Sequence, residues 1–164
     1  MTLSHLDAHG HACMVNVSGK AITVRTARAG GTIYVHPETI ALIAAGSLPK
    51  GDAFTTARIA GIQAAKRCSE LIPLCHTIPF DLIAIDFSVH NDPCRVEITA
   101  KIICQAKTGA EMEALTAVSV AALTLYDMIK GVDREAIIGD IRLLEKSGGK
   151  SGHFLREEHG TCQE

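Results

Sequence analysis

The strongest constraint on the fold is a change of hydrophobic period near the middle of the chain. In LIAIDFSV alternate positions from Ile83 to Val89 are apolar, and RVEITAKIICQAK alternates in the same way from Val96 to Cys104. The turn sequence HNDP joins these two segments. Two alternating segments linked by a short turn predict an antiparallel hairpin with one buried face.

A helical period follows the hairpin, in TGAEMEALTAVSVAALTLYDMIKG. Thr108 and Glu111 form the T-x-x-E pattern of a capping box at its start, and Gly131 is placed to end it. Apolar side chains recur at three- and four-residue intervals between them, which predicts a stripe that faces the core. The residues of that stripe are Leu115, Val118, Ala122, Leu125 and Ile129.

The flanking segments complete a mixed pattern of helices and strands. AITVRTARAGGTIYV predicts two short strands around Gly30-Gly31, HPETIALIAAG predicts a short helix, and AIIGDIRLLE predicts a last strand. A further helix begins after Asp52, a good N-cap, and must end before Pro73. Two long helices beside a mostly antiparallel sheet favour an α+β sandwich of the ferredoxin-like type.

Length and charge set the class of protein. At 164 residues the chain fits one domain, 1–164, with a largely irregular N-terminal segment (1–20) and a disordered tail (155–164). Its 16 basic and 18 acidic side chains nearly cancel, so no global field attracts nucleic acid or an anionic membrane. The sequence shows no signal-peptide pattern, no run of transmembrane length and no CxxC pair. These features predict a cytoplasmic protein with reduced, mostly buried thiols and no nucleic-acid or membrane partner.

The stretch EKSGGKSG has the composition of a phosphate-binding loop. It is not a Walker P-loop, because the first glycine of that motif would fall at Leu144 and too few residues follow Gly152 for the usual helix. Lys146 and Lys150, with the backbone N–H groups between them, can still hold phosphate oxygens. A solvated segment near the end of the chain is the alternative.

Histidines and cysteines raise the question of further sites. Cys75 and His76 lie between two prolines in SELIPLCHTIPF, where nothing nearby completes a zinc pattern. A surface or core histidine and an acid–base or ligand-binding histidine both remain open. The first 20 residues also contain three histidines and a cysteine at a spacing that a metal site could accept. The alternative interpretation is that this segment is a mobile tail without a metal. Those residues are His5, His9, His11 and Cys13.

Two carboxylates of the long helix constrain any active site. Glu113 and Asp127 share a helix face but are about 21 Å apart along the axis, so they cannot meet in one small pocket of a single chain. If both act on a substrate, either the substrate is long or two subunits share each site. Plainer alternatives also exist, since Asp127 and Lys130 can form a surface ion pair, and Lys50 can be solvated instead of bound to a phosphate.

Four segments of the chain carry a resemblance to a known family. They are KGDAFTTARIAGIQAAKR, ELIPLCH, KTGAEMEALTAVSVAALTLYDMIK and LLEKSGGKSG. Together and in this order they resemble the MoaC family of molybdenum cofactor biosynthesis proteins, the cyclic pyranopterin monophosphate synthases, over about Leu3 to Phe154. The resemblance implies a lyase that converts 3',8-cyclo-7,8-dihydroguanosine 5'-triphosphate to cyclic pyranopterin monophosphate with release of diphosphate.

The resemblance also implies roles for individual residues. Asp127, in LYDMIK, is the expected catalytic acid/base residue, and Lys130, Lys50 and Lys146 are expected beside it in the catalytic site. The family further implies a homohexamer, a trimer of dimers with active sites at subunit interfaces. It implies no required cofactor and leaves open whether Mg²⁺ accompanies the triphosphate. The expected substrate-binding residues are Leu74, Cys75, His76, Glu111, Met112 and Glu113.

Two residues depart from the family pattern. Asn16 stands in MVNVS where the family usually has an aspartate, and Thr77 follows His76 where the family usually has a proline. Asn16 cannot act as a base, and Thr77 removes a backbone constraint beside a binding histidine. A non-catalytic nucleotide-binding regulator is the alternative from another functional class, and such a protein is expected to lose part of the catalytic set. All members of that set are present here: Asp127, Lys130, Glu113 and Lys146.

Overall fold

A computed structural model describes residue 6 and residues 9–150 and 152–157 of the chain. Helices pack on a single five-stranded sheet. The elements in chain order are β1 (Thr23–Tyr34), α1 (Pro37–Ala44), α2 (Ala53–Lys66), α3 (Cys68–Leu71), β2 (Leu82–Asn91), β3 (Cys94–Ala106), α4 (Glu111–Ile129), β4 (Ile137–Ser147) and β5 (Phe154–Leu155).

The sheet has the strand order β2-β3-β1-β4-β5, and its neighbouring strands pair antiparallel. Helix α4 packs on β1, β3 and β4, and α2 packs on α4 and β2. The order of the first four strands, with helices between β1 and β2 and between β3 and β4, is that of a ferredoxin-like sandwich. The predicted α+β class and its ferredoxin-like type are therefore confirmed.

The hairpin and the long helix follow the predicted periods. Strands β2 and β3 form the hairpin, and alternate β3 residues from Val96 to Cys104 are buried. The predicted stripe of α4 is also buried, except that Leu115 is only partly so. Helix α4 has 19 residues, and an apolar 18-residue window within it has a mean hydropathy of 1.4, which would suffice for a membrane span by length and composition alone. Because 56% of that apolar window is buried inside the fold, we interpret α4 as a core helix.

Strand β1 is continuous, whereas the sequence predicted two short strands around Gly30-Gly31. Neighbouring elements approach the β1 backbone at both glycines. A Cβ on Gly30 would lie 3.0 Å from Leu144 Cδ1, and one on Gly31 would lie 2.6 Å from Val118 Cγ1. The glycine pair thus permits close packing of β4 and α4 against β1 and does not mark a turn.

The start of α4 also differs from the prediction. Its N-cap is Ala110, which makes no side-chain capping bond, so the predicted capping box of Thr108 and Glu111 is wrong. The Glu111 carboxylate instead pairs with Lys146. The predicted cap of α2 is correct, since the Asp52 carboxylate accepts a hydrogen bond from a backbone N–H of the first turn.

The two ends of the chain are only partly described. Residues 6 and 9–20 contain one isolated bridge, between Leu6 and Ala12, and no helix or longer strand. Leu155, the first residue of the segment predicted as a tail, pairs with Glu145 across β5 and β4. His5 and residues 158–164 lie outside the described residues.

Gly61 of α2 lies where the two long helices pack together. It is buried in a stripe of small side chains. A Cβ at Gly61 would collide with Ile85 Cδ1 and would lie 2.8 Å from Ala117 O in α4. The carbonyl oxygen of Ala117 is part of the α4 backbone, so it cannot move away unless the whole helix moves. The distance between α2 and α4 therefore depends on Gly61 having no side chain.

We expect Gly61→Ala to lower the free energy of unfolding by up to about 2 kcal/mol, because an overpacking cost of about 1–3 kcal/mol outweighs the roughly 1 kcal/mol that alanine gains over glycine inside a helix. Urea denaturation measures the change. Gly131→Ala is the matched control, since a Cβ there has no neighbour within 4 Å. If Gly61→Ala were as stable as the parent, α2 and α4 would be free to move apart at no cost.

Candidate active site at the two ends of helix α4

The site residues expected from the sequence gather at the two ends of α4. One group, here called the N-terminal cluster, surrounds the first turn and consists of Leu74, Cys75, His76, Glu111, Met112, Glu113 and Lys146. The other group, the C-terminal cluster, lies at the last turn and consists of Lys50, Asp127 and Lys130. Within one chain about 21 Å of helix separates Glu113 from Asp127. The structure therefore brings the expected residues together in two places, not one.

All members of the N-terminal cluster except Lys146 line a cavity of about 480 Å³, a volume typical of small-molecule sites. Every expected substrate-binding residue contributes to its wall. Further lining residues were missed from the sequence: Val15, Val17, Lys20, Thr108 and Gly109. The KTG segment that precedes α4 was a usable signal for two of them, whereas isolated valines and a lysine in an irregular segment carry no such signal.

Strand register directs Lys146 toward Glu111, a carboxylate that lines this cavity. Lys146 lies opposite Ala27 of β1, which is fully buried under the helices. Opposite residues of an antiparallel pair point to the same face of the sheet, so the Lys146 side chain points toward α4. Its Nζ donates a hydrogen bond to Glu111 Oε1 at 2.9 Å. The lysine of the glycine-rich stretch is thus held by a strand beside a cavity carboxylate.

Glu113 is the buried carboxyl group of the cavity, with only 4% of the residue exposed. Burial, helped by the nearby Glu111 charge and opposed by a hydrogen bond from its own backbone N–H, raises the pKa of Glu113 to about 7. A carboxyl group that titrates near neutrality can both donate and accept a proton during a reaction. Glu113 is therefore equipped for proton transfer as well as for binding.

Glu113 is expected to make the protein less stable as the pH rises. Its pKa in the folded chain is above the ordinary value of 4.5, so the folded state retains a proton that the unfolded state loses between about pH 4.5 and 7. At about 1.4 kcal/mol per pKa unit, the loss of unfolding free energy across this window is at most roughly 3–4 kcal/mol. We expect Glu113→Gln to remove this loss, as measured by urea denaturation at a series of pH values.

The control for this experiment is Glu70→Gln, which removes an exposed carboxylate on α3. Its pH profile is expected to follow that of the parent. A Glu113→Gln profile that also followed the parent would show that Glu113 is ionised in the folded protein over the whole window.

The LCH segment presents a thiol and an imidazole to the cavity. Burial raises the pKa of Cys75 to about 11, so at neutral pH this thiol is protonated and is not a nucleophile. His76 Nε2 lies 2.8 Å from Val15 O. Because a carbonyl oxygen only accepts hydrogen bonds, this nitrogen carries a proton, and His76 ties the N-terminal segment to the cavity wall.

The two departures from the family pattern have local hydrogen-bond partners. Asn16 Oδ1 accepts a hydrogen bond from Ser18 N at 2.9 Å, a turn contact that an aspartate oxygen would make equally well. Thr77 Oγ1 donates to Ser69 Oγ at 3.1 Å. Within the described residues, no group of three or more His, Cys, Asp or Glu side chains is arranged to hold a metal ion.

The C-terminal cluster is an open ion triad. Lys50 Nζ donates to Asp127 Oδ2 at 2.6 Å and to Asp127 O at 2.9 Å, and Lys130 Nζ lies 2.8 Å from Asp127 Oδ1. Hydrogen bonds from Lys130 and Lys50 lower the pKa of Asp127 to about 2. About half of each side chain is exposed, so a ligand can reach all three.

This triad can respond to a bound phosphate. Asp127 is ionised and able to accept a proton, but it is a weak base while both ammonium groups hold it. A phosphate that recruits Lys50 or Lys130 would loosen that hold and move the pKa of Asp127 back toward its ordinary range. A phosphate bound at this cluster would therefore raise the basicity of the carboxylate.

Comparison with known proteins agrees with this arrangement of residues. The MoaC family model matches residues 14–149. A Chloroflexus aurantiacus protein named cyclic pyranopterin monophosphate synthase is 54% identical over 154 residues, 94% of each chain. A Pelotomaculum thermopropionicum protein of the same name is 55% identical over 157 residues, 94% of this chain and 91% of the relative. The resemblance predicted from the four segments is confirmed, and the chain belongs to the MoaC family.

Proposed function

We propose that this protein is a cyclic pyranopterin monophosphate synthase of molybdenum cofactor biosynthesis. It converts 3',8-cyclo-7,8-dihydroguanosine 5'-triphosphate to cyclic pyranopterin monophosphate and releases diphosphate. The observation that carries the proposal is the 54–55% identity, over 94% of the chain, to relatives of that name. The two clusters of α4 supply side chains suited to each part of this chemistry.

The lysines of both clusters suit the triphosphate. Lys50 and Lys130 at one end, and Lys146 at the other, provide ammonium groups that offset its negative charge. When the cyclic phosphate forms, a sugar hydroxyl oxygen bonds to the α-phosphorus while the bond from that phosphorus to the diphosphate oxygen breaks. The hydroxyl proton passes to a general base, for which Asp127 is positioned, and the departing diphosphate is neutralised by the lysines.

Rearrangement of the guanine-derived rings requires several proton transfers. Glu113 is suited to them because burial brings its pKa to about 7. The cavity wall around Glu113 includes apolar side chains, Val15, Val17, Leu74 and Met112, and charges interact more strongly beside such a surface than in bulk water. Glu113 and Asp127 therefore divide the proton transfers between the ring chemistry and the phosphate chemistry.

Each active site combines the N-terminal cluster of one chain with the C-terminal cluster of another. The length of α4 supports this arrangement, because the two clusters are too far apart to act on one small region of substrate within a single chain. A homohexamer built as a trimer of dimers, which the family resemblance implies, provides such interfaces. We further propose that the enzyme acts in the cytoplasm and requires no cofactor, with Mg²⁺ entering only with the triphosphate.

The test is to incubate the purified protein with the cyclic nucleotide and to measure diphosphate and the pterin product. Equal amounts of both products are expected. The same assay with a chelator or with added Mg²⁺ determines the metal dependence. Tight binding of the nucleotide without release of diphosphate would overturn the proposal and favour a non-catalytic nucleotide-binding regulator.

A further inference from the structure

Arg25 of β1 joins two chain segments through its guanidinium group. Nε donates a hydrogen bond to Ala106 O and Nη2 donates one to Lys107 O, each at 3.4 Å, where β3 leads into α4. Nη1 donates to Gly148 O at 3.0 Å, where the chain leaves β4. One side chain therefore bonds three carbonyl oxygens that belong to two segments far apart in the sequence.

Each of these segments leads directly to one partner of the cavity ion pair. Lys107 lies four residues before Glu111, and Gly148 lies two residues after Lys146. Arg25 also lies two residues before Ala27, the strand partner of Lys146, so both side chains start from the same face of the sheet. The guanidinium group thus holds both backbones from which the Lys146–Glu111 pair projects.

The glycines of EKSGGKSG fit this close approach. Gly148 and Gly149 have φ values of +99° and +73°, in the left-handed region that favours glycine. A Cβ on Gly149 would overlap the Arg25 guanidinium, and a Cβ on Gly148 would overlap Val24 O. The chain at Gly148 and Gly149 therefore packs tightly against β1, and these two glycines are needed for that packing whether or not phosphate binds.

We propose that Arg25 is a positioning residue of the active site, which bonds the β3–α4 connection to the glycine-rich loop and thereby holds Lys146 beside Glu111. Arginine suits this role because its planar group directs five N–H donors in a fixed fork, whereas the ammonium group of lysine is a single point of contact. The consequence for turnover rests on the proposed function, but the effect on the loop does not.

The experiment compares Arg25→Lys and Arg25→Ala with the parent. Amide hydrogen exchange of residues 147–150 is expected to become faster in both variants, because their anchoring carbonyl contacts are lost. The ratio kcat/KM for the cyclic nucleotide is expected to fall about 10- to 100-fold, the effect of misplacing a binding group by about 1 Å. In Arg25→Ala, millimolar guanidinium ion is expected to restore part of the turnover, which a general loss of folding would not allow.

Two further variants sharpen the test. Arg28→Lys is the control on the same strand. Arg28 contacts the Glu145 carboxylate and not the carbonyl oxygens that Arg25 binds. We expect this variant to leave both amide exchange and turnover unchanged. Gly149→Ala is expected to impair turnover in the parent but to add less in the Arg25→Ala background, where the overlap with the guanidinium is gone.

The outcomes separate this inference from the proposed function. If exchange of residues 147–150 in Arg25→Lys and Arg25→Ala matches the parent, the positioning role is wrong, whatever the turnover. If exchange accelerates but the parent releases no diphosphate, the proposed function fails and the structural role of Arg25 stands. If exchange accelerates while both variants keep full turnover, Arg25 holds the loop without positioning Lys146, and the inference is overturned.

Discussion

A mixture of equal amounts of Glu113→Ala and Asp127→Ala chains is expected to regain about a quarter of the parent's turnover, although each variant alone is impaired. About half of the dimers are then mixed, and each mixed dimer contains one intact site of two. The expectation depends on the position of the two residues at opposite ends of α4. A site shared between chains takes Glu113 from one chain and Asp127 from the other. Diphosphate release after co-expression or joint refolding measures the recovery.

A mixture of Glu113→Ala and Glu111→Ala is the matched control. Both defects then lie in the N-terminal cluster, so every site in a mixed dimer lacks one carboxylate and no recovery is expected. Each variant alone is expected to lose about 10²- to 10⁴-fold in turnover, the usual contribution of a group that transfers protons. If mixing Glu113→Ala with Asp127→Ala leaves turnover at the level of the separate variants although the chains have exchanged, the two-chain site is wrong.

The Lys146→Ala variant is expected to lose about 10²- to 10³-fold in turnover, as when a group that stabilises developing charge is removed from an active site. The substitution removes an ammonium group that can neutralise substrate phosphate. It also leaves Glu111, its partner at 2.9 Å, as an unpaired negative charge beside the cavity. Both effects act against an anionic substrate, so kcat and the affinity for the nucleotide should fall together.

Two variants control for charge and for folding. Lys101→Ala removes an exposed lysine of β3, away from both clusters, and is expected to keep the parent's turnover. Lys146→Arg keeps the charge and is expected to retain part of the activity. Full turnover by Lys146→Ala, with fold and assembly intact, would remove this lysine from the catalytic site and would leave the glycine-rich loop with a structural role only.

The elements that the sequence predicted well are those determined by neighbours along the chain. Alternation in β2 and β3 and the helical stripe of α4 appear in the structure as expected, and Asp52 caps α2. In each case the residues that interact lie within a few positions of one another, or across one short turn. Local sequence is sufficient for the alternation and the stripe because burial on one face follows the period of the element, and the Asp52 cap needs only a backbone N–H three residues further along.

The site was predictable in its membership but not in its arrangement. The family resemblance named the cavity residues and those of the ion triad, whereas the contact between Lys146 and Glu111, 35 residues earlier, depends on strand register and on the packing of α4. Lys50 and Asp127 are 77 positions apart, and their contact depends on how the α1–α2 connection packs against the end of α4. Arg25 carried no motif signal, because its partners are backbone carbonyls of distant segments.

The sequence by itself determined the α+β class, the family and the expected catalytic and binding residues, because these depend on local periods and on motifs that are complete within short segments. The tertiary structure decided how those residues meet. Gly30 and Gly31 allow close packing within a continuous strand and do not form a turn. Glu111 forms an ion pair with Lys146 and does not take part in a capping box. The physical reason is common to both, since a glycine or a carboxylate has several local partners available and only contacts from distant segments select among them.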